Sequence, residues 1–315
     1  MVQSINRIND YAFKRIMGSE EGKDALLSFL NAVLKPAPGK ELASVELLDR
    51  ELDPRYLLDR AARLDILART ATGALVNIEV QIANQYNIDK RTLFYWAGLY
   101  HGQLSRGEDF RSLKKTITIN ILGFSWFTDK ERYHHIFQLR EKDTGELLNE
   151  DMEIHFLELP KIVKLDRRPS DALEEWMLYL NNLEGKEMEA IAMENPGIKK
   201  ALTIEQIFLK DKKERRLYEL REKAYRDELS ALAGARAEGE ARGEARGEAR
   251  GEARGEARGR QEAICKYLEA RFGDASLGLQ EKVRQYNELE KLDMLINKIY
   301  TAASLEEAGA IINGI

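Results

Sequence analysis

The feature that most constrains this chain is a pair of short apolar runs joined by a glycine-containing connection. The first run is Arg63-Leu64-Asp65-Ile66-Leu67-Ala68-Arg69, and the second is Leu75-Val76-Asn77-Ile78-Glu79-Val80-Gln81-Ile82. Between them lies Thr70-Ala71-Thr72-Gly73-Ala74. Alternating polarity on both sides of such a connection predicts a β-hairpin. Side chains alternate with period two, so a hairpin that keeps apolar beside apolar sets Leu64 near Val80 and Ile66 near Ile78. That register puts Asp65 across from Glu79 and Arg63 across from Gln81. The next permitted register puts Asp65 across from Gln81, with Glu79 diagonal to it.

Either register sets two carboxylates on one side of a sheet. Like charges so placed repel by roughly 0.2–1 kcal/mol. A divalent cation removes the conflict, because Mg2+ takes oxygen ligands and is held by one or two carboxylates plus substrate phosphate. Acids on a solvated strand face are also common, and the spacing alone leaves both readings open.

The rest of the chain bounds the setting. With 315 residues, 43% hydrophobic and 33% charged, it has room for a full core and two or three units. The first thirty residues lack the basic-then-apolar pattern of a secretory signal, and no apolar run reaches the roughly 18 residues needed to span a bilayer. The single cysteine, Cys265, excludes an intramolecular disulfide and fits a cytoplasmic location. His101, His134, His135 and His155 lack zinc-ligand spacing, and His134-His135 reads as surface. A net charge of −5 provides no global basic field for nucleic acid, although a local basic rim is compatible with it.

Periodicity predicts a helix from Ile8 to Leu34, ended by Pro36, and a short strand within Val45 to Leu52. After the hairpin comes a helix from Ile88 to Ser105, closed by Gly107. A central strand follows over Thr116–Leu122, with further strands at Tyr133–Leu139 and Glu153–Leu159. This order predicts an α/β fold, a mixed sheet flanked by helices. Strand signals vanish after Ser170, and segments 171–193 and 203–232 read as charged helices. The expected division is residues 1–165, a charged helical region 166–233, a repeat spacer 234–259 and a small helical module 260–315.

The spacer repeats Glu-Ala-Arg-Gly. Glu and Arg two residues apart fall on nearly opposite sides of a helix, while Glu meets Glu and Arg meets Arg at i,i+4. Each Gly costs about 0.8–1.0 kcal/mol against Ala, and seven lie between Gly234 and Gly259. Alone, the segment is expected to be marginally helical or disordered. Alternatively, its Gly/Ala side admits a second such helix, making the C-terminal region a route to a homo-oligomer.

Several strings, in order, resemble the Rpn family of recombination-promoting nucleases and transposases, a branch of the PD-(D/E)XK nuclease superfamily. They are Asn9-Asp10-Tyr11-Ala12-Phe13-Lys14, Leu27-Ser28-Phe29-Leu30-Asn31, Leu64-Asp65-Ile66 and Asn77-Ile78-Glu79-Val80-Gln81. Arg91-Thr92-Leu93-Phe94-Tyr95-Trp96 and Ile154-His155-Phe156-Leu157-Glu158-Leu159-Pro160-Lys161 complete the set. The resemblance covers roughly residues 6–165 and implies a restriction-endonuclease-like fold. It implies Mg2+-dependent (or Mn2+-dependent) hydrolysis of DNA, linked to recombination or mobile elements. It also implies Asp65 and Glu79 as metal-binding carboxylates and Asp10 as an accessory acid; a helix N-cap is the other reading of Asp10. Gln81 sits where the superfamily has lysine, and it offers neutral hydrogen bonds instead of a cation. Lys14 or Arg91 is a candidate source of the missing charge. Lys90-Arg91, Arg111 with Lys114-Lys115, and Lys212-Lys213 with Arg215-Arg216 are candidate phosphate contacts. The alternative function is a weak or inactive nuclease fold that binds DNA or a partner.

Overall fold

The computed structural model describes residues 5–48, 64–84, 87–165 and 167–314. Within them the chain divides into two compact units, Met1–Asp227 and Glu228–Ile315. Arg63, and residues 49–52 of the expected Val45–Leu52 strand, lie outside the described residues.

The first unit is built on a six-stranded sheet of order β1-β2-β3-β4-β6-β5. Its strands are β1 Val45–Leu47, β2 Ile66–Thr70, β3 Leu75–Gln81, β4 Thr116–Leu122, β5 His134–Phe137 and β6 Met152–Glu158. β2 and β3 form the predicted hairpin, with Ile66 opposite Ile78 and Ala68 opposite Val76. Gly73, at φ 87°, supplies the left-handed residue in the connection. β3, β4 and β6 run parallel, while β1 and β5 add antiparallel edges. β4 is buried along its whole length, as its predicted central place in a sheet covered on both faces requires.

Register divides the sheet into two unlike faces. One carries Ile66 and Ala68, Val76 and Ile78, Ile117, Ile119 and Ile121, and Leu157, all within the main core. Phe13, Ile16 and Met17 of α1 (Asp10–Met17) and Leu26, Phe29 and Leu30 of α2 (Lys23–Leu34) belong to the same core. The opposite face presents Asn77, Glu79 and Gln81 from β3 beside Thr118, Asn120 and Leu122 from β4. α3 (Ile88–His101) lies on this polar face, where Thr92 Oγ1 donates to Asn120 Oδ1 at 2.8 Å and Trp96 Nε1 donates to the Thr116 carbonyl at 2.9 Å.

Helix boundaries depart from expectation where local chemistry interrupts periodicity. The Ile8–Leu34 segment breaks at Gly18-Ser19, whose serine caps a 3₁₀ turn at Glu20–Gly22. A Cβ on Gly18 would lie 3.0 Å from the Lys14 carbonyl and 3.1 Å from Ile66, so the chain turns where it passes close to β2. α3 stops at His101, with Gly102 as its C-cap, before Ser105 and Gly107. The 171–193 stretch is two helices, α5 (Ala172–Leu180) and α6 (Gly185–Glu194), after a short α4 (Leu159–Ile162). α7 spans Pro196–Lys210, and Asp211 then caps the start of α8 (Lys212–Phe272) by accepting from the Lys213 and Glu214 amides.

The loss of strand signals after Ser170 does not mark the end of this core. Trp176, Met177, Tyr179 and Leu180 of α5 and Ile198, Ala201 and Ile204 of α7 lie in the same buried cluster as the sheet. Trp176 meets Phe29 edge-on at 5.8 Å between ring centroids. A Cβ on Gly197 would lie 2.3 Å from the Ser28 side chain, so only glycine permits that approach of α7 to α2. The segment before α1 is fastened to the same region. Arg7 Nε binds Glu205 Oε2 at 2.7 Å, the Asn6 amide donates to Tyr218 Oη at 2.9 Å, and Tyr11 Oη donates to Glu214 Oε2 at 2.7 Å.

In the second unit the end of α8 packs with α9 (Leu277–Val283), α10 (Leu289–Ile299) and α11 (Leu305–Asn313). Ile264, Leu268, Val283, Leu292, Leu295, Ile299 and Ile312 form its core. The Glu-Ala-Arg-Gly repeat is helical throughout, part of the continuous 61-residue α8. Its ends supply what the isolated segment lacks. Tyr218 and Ile264 sit in packed clusters on either side of the repeat, so the helix propagates across it without a separate nucleation cost. Among the described residues, i,i+4 ion pairs occur where the period breaks, at Arg236–Glu240, Glu238–Arg242 and Glu256–Arg260. Between those points Glu and Arg stay two apart and do not pair.

Candidate active site

Asp65 precedes β2, and Glu79 lies near the end of β3. The register Ile66↔Ile78 brings them side by side, as the first of the two permitted pairings requires. Each acid accepts from a backbone amide of the segment that carries the other. Val80 N–H donates to Asp65 Oδ2 at 2.9 Å, and Asp65 N–H approaches Glu79 Oε1 at 3.4 Å. Glu79 is only 5% exposed, which overturns the solvated-face reading. Burial, and then the charge of Asp65, push the Glu79 carboxyl up to about 8, against the pull of Arg91. Burial raises the Asp65 carboxyl too, with Lys14 opposing.

Two cations approach this pair from separate helices. From α1, Lys14 Nζ lies 2.8 Å from Asp65 Oδ1 and also binds Asp10, one helical turn earlier. Burial works against its charge, but Asp65 and then Asp10 outweigh that and raise its pKa. From α3, Arg91 lies 3.8 Å from Glu79 Oε2. With the Gln81 amide oriented to satisfy both of its polar atoms, its oxygen accepts from the same guanidinium. Asp10, Lys14, Asp65, Glu79, Gln81 and Arg91 are thus linked in one chain of contacts.

The helix start that carries Asp10 is capped by its neighbour. Asn9 accepts from the Tyr11 and Ala12 amides, leaving Asp10 as the first residue of α1 with its carboxylate on Lys14. The N-cap reading of Asp10 is therefore incorrect. An asparagine one position earlier has the right geometry for that role.

Two hard carboxylates pressed together out of water form a donor set suited to Mg2+ or Mn2+. No group of three or more His, Cys, Asp or Glu among the described residues is arranged as a ready cation cage. The set fits an ion that takes two protein ligands and completes its shell from water and phosphate.

Sequence reasoning missed the polar groups around this pair. Asn77 and Thr118 are fully buried neighbours on the same face, and Asn120 is held by Thr92. The alternation Thr116-Ile117-Thr118-Ile119-Asn120 carried that signal once β3 and β4 were paired. His134 and His135 are not surface residues. His134 Nε2 lies 2.9 Å from His155 Nδ1, and burial, then His155, push the His134 ring down to about 3. His135 is 6% exposed and lies 3.3 Å from Glu158 Oε2. The strand expected at Tyr133–Leu139 is present as β5, and its neighbour β6 supplies partners that draw both histidines inward.

Glu158 forms the second acidic site missed in the sequence. It accepts from the Trp126 and Phe127 amides at 2.6 and 3.0 Å and binds Lys161 Nζ at 2.6 Å. Lys161 in turn donates to the Phe127 carbonyl at 2.8 Å. The spacing Glu158-Leu159-Pro160-Lys161 across the start of α4 is its sequence trace.

Among the candidate phosphate contacts, Arg91 belongs to the acid pair. Arg111 is paired with Asp109, Lys115 with Glu153, and Arg215 and Arg216 with Glu219. No helix among the described residues is long and apolar enough to cross a membrane.

A family model described as PD-(D/E)XK nuclease family transposase matches residues 7–235. The match reaches well past 165, in keeping with the shared core of α5 and α7. No curated protein and no solved structure matches the chain.

Proposed function

Because the chain belongs to the PD-(D/E)XK nuclease family transposases, whose name implies a nuclease acting on DNA, we propose that it is a Mg2+-dependent DNA endonuclease serving recombination or element mobility. The observation that carries this reading is the buried Asp65–Glu79 pair: burial raises both carboxyls, the charge of Asp65 adds to the rise at Glu79, and a divalent ion would relieve both effects. Asp65 and Glu79 hold the ion, and Mn2+ suits the same donors. Asp10 is the accessory acid, joined to the pair through Lys14. Such an ion supplies Lewis-acid stabilisation of phosphate charge and acidification of water.

The chain's own groups orient that chemistry. The Val80 amide fixes one Asp65 oxygen, and Arg91 holds Glu79 and Gln81 at the site. In hydrolysis, a water oxygen bonds to phosphorus while one bridging P–O bond breaks. One proton of the water is lost to solvent, and the departing oxygen gains a proton.

Purified protein incubated with plasmid DNA in Mg2+ is expected to nick or linearise it, and to stop on addition of chelator. The double variant Asp65→Ala/Glu79→Ala is expected to fall to background. Cleavage undiminished in that variant would sink the assignment.

A further inference from the structure

The family's name spells an acid, any residue, then lysine, and this chain reads Glu79-Val80-Gln81. The third position therefore carries no charge. Phosphoryl transfer builds negative charge on non-bridging oxygens, and a preorganised cation beside them is a large part of catalysis. The chemistry of the site still calls for that cation.

Two helices deliver candidates, and their contacts separate them. The Arg91 guanidinium is engaged with the Gln81 amide and Glu79, so it braces the strand that carries the acid. Lys14 presents a compact ammonium with three donors, and two carboxylates, Asp65 and Asp10, account for two directions. Its side chain is 20% exposed, so the charge is held at the acid pair and not trailing in solvent. Its helix is also well anchored. Asn9 caps it, Phe13, Ile16 and Met17 bury its inner face, and Tyr11 ties it to Glu214. A rigid element thus sets the position of the ammonium.

We propose that Lys14, delivered from α1, is the catalytic cation of this site and stands in for the lysine that Gln81 replaces. This rests on the nuclease reading above. In the metal-free protein the ammonium occupies the place of a cation on Asp65. With Asp65 engaged by the divalent ion, Lys14 stays tethered to Asp10 and donates to a non-bridging oxygen of the scissile phosphate. It transfers no proton; it balances charge as the water–phosphorus bond forms and the bridging bond breaks. Asp10 is then a positioning residue, one helical turn from the lysine it holds.

The test compares the full-length protein with Lys14→Met, Lys14→Gln and the double variant Lys14→Met/Gln81→Lys, each checked for fold by circular dichroism. In plasmid cleavage with Mg2+, both single variants are expected to lose about 10²–10³-fold in kcat, the usual loss for one transition-state donor, with little change in KM. Restoring lysine at position 81 is expected to recover at least about ten-fold, equivalent to 1.4 kcal/mol of barrier. In calorimetry without DNA, Mg2+ is expected to bind Lys14→Met at least as tightly as the parent, because a competing cation has left Asp65. Parental kcat in folded single variants, or no recovery in a folded double variant, would overturn the proposal. If no protein in the set cleaves DNA, the nuclease reading fails. Calorimetry then still decides the lysine's place, since weaker Mg2+ binding in Lys14→Met would contradict its competing for Asp65.

Discussion

Glu158 and Glu79 lie on the same face of one sheet, sealed from solvent to nearly the same degree at 0% and 5% exposure. Their surroundings differ in kind. Glu158 receives two backbone amides and a lysine at 2.6 Å, so its charge is matched where it sits. Glu79 has another acid beside it, one long amide contact and a guanidinium 3.8 Å away. A buried charge is costly unless it is paired and hydrogen-bonded. The first site meets that requirement and ties a loop to the sheet. The second meets it less well, and that contrast is what the proposed metal site rests on.

Opposite outcomes are expected when each acid is neutralised. Glu158→Gln strands the Lys161 ammonium and is expected to cost about 3–5 kcal/mol of unfolding free energy in urea titration. Neutralising Glu79 has the reverse sign. Its folded pKa of about 8 stands above the ordinary 4.5, so between those values the folded chain holds a proton that the unfolded chain has lost. Metal-free protein is therefore expected to lose stability as pH rises through that window, and Glu79→Gln to flatten the slope and be more stable than the parent at pH 8. Equal loss of stability in both variants would erase the contrast. The smallest effect is expected on the same face at Thr92→Val, which removes the donor to the buried Asn120 oxygen and costs about 1 kcal/mol. A thermal shift no larger than a surface substitution gives would show that Asn120 is satisfied in some other way.

The hairpin and its register were legible because period-two alternation is a local rule, and one apolar face leaves few pairings. The mixed α/β sheet followed from element order. Helix ends were less legible because they depend on particular contacts, such as Gly18 against β2 or Asn182 at φ 64° between α5 and α6. The shared core of α5 and α7 was missed because the charged residues of the wider 171–193 and 203–232 stretches outweighed the apolar run Trp176–Leu180 and the spaced Ile198, Ala201 and Ile204. Asp65, Glu79 and Gln81 were visible as a string, with Lys14 and Arg91 as candidate cations. Which acid each cation approaches was not, since those pairings join helices to strands many residues away.

The bonds that fasten α1 bear on how the first unit is completed as the chain is made. Asn6, Arg7 and Tyr11 close on Tyr218, Glu205 and Glu214, roughly two hundred residues downstream. Such contacts form only after a long loop has closed. During synthesis, the helix carrying Lys14 and Asp10 gains the last of its fastenings only when α7 and the start of α8 have left the ribosome. The hairpin with its two acids can be in place long before, and a growing chain halted near residue 165 holds α1 by its core face alone, without these downstream bonds.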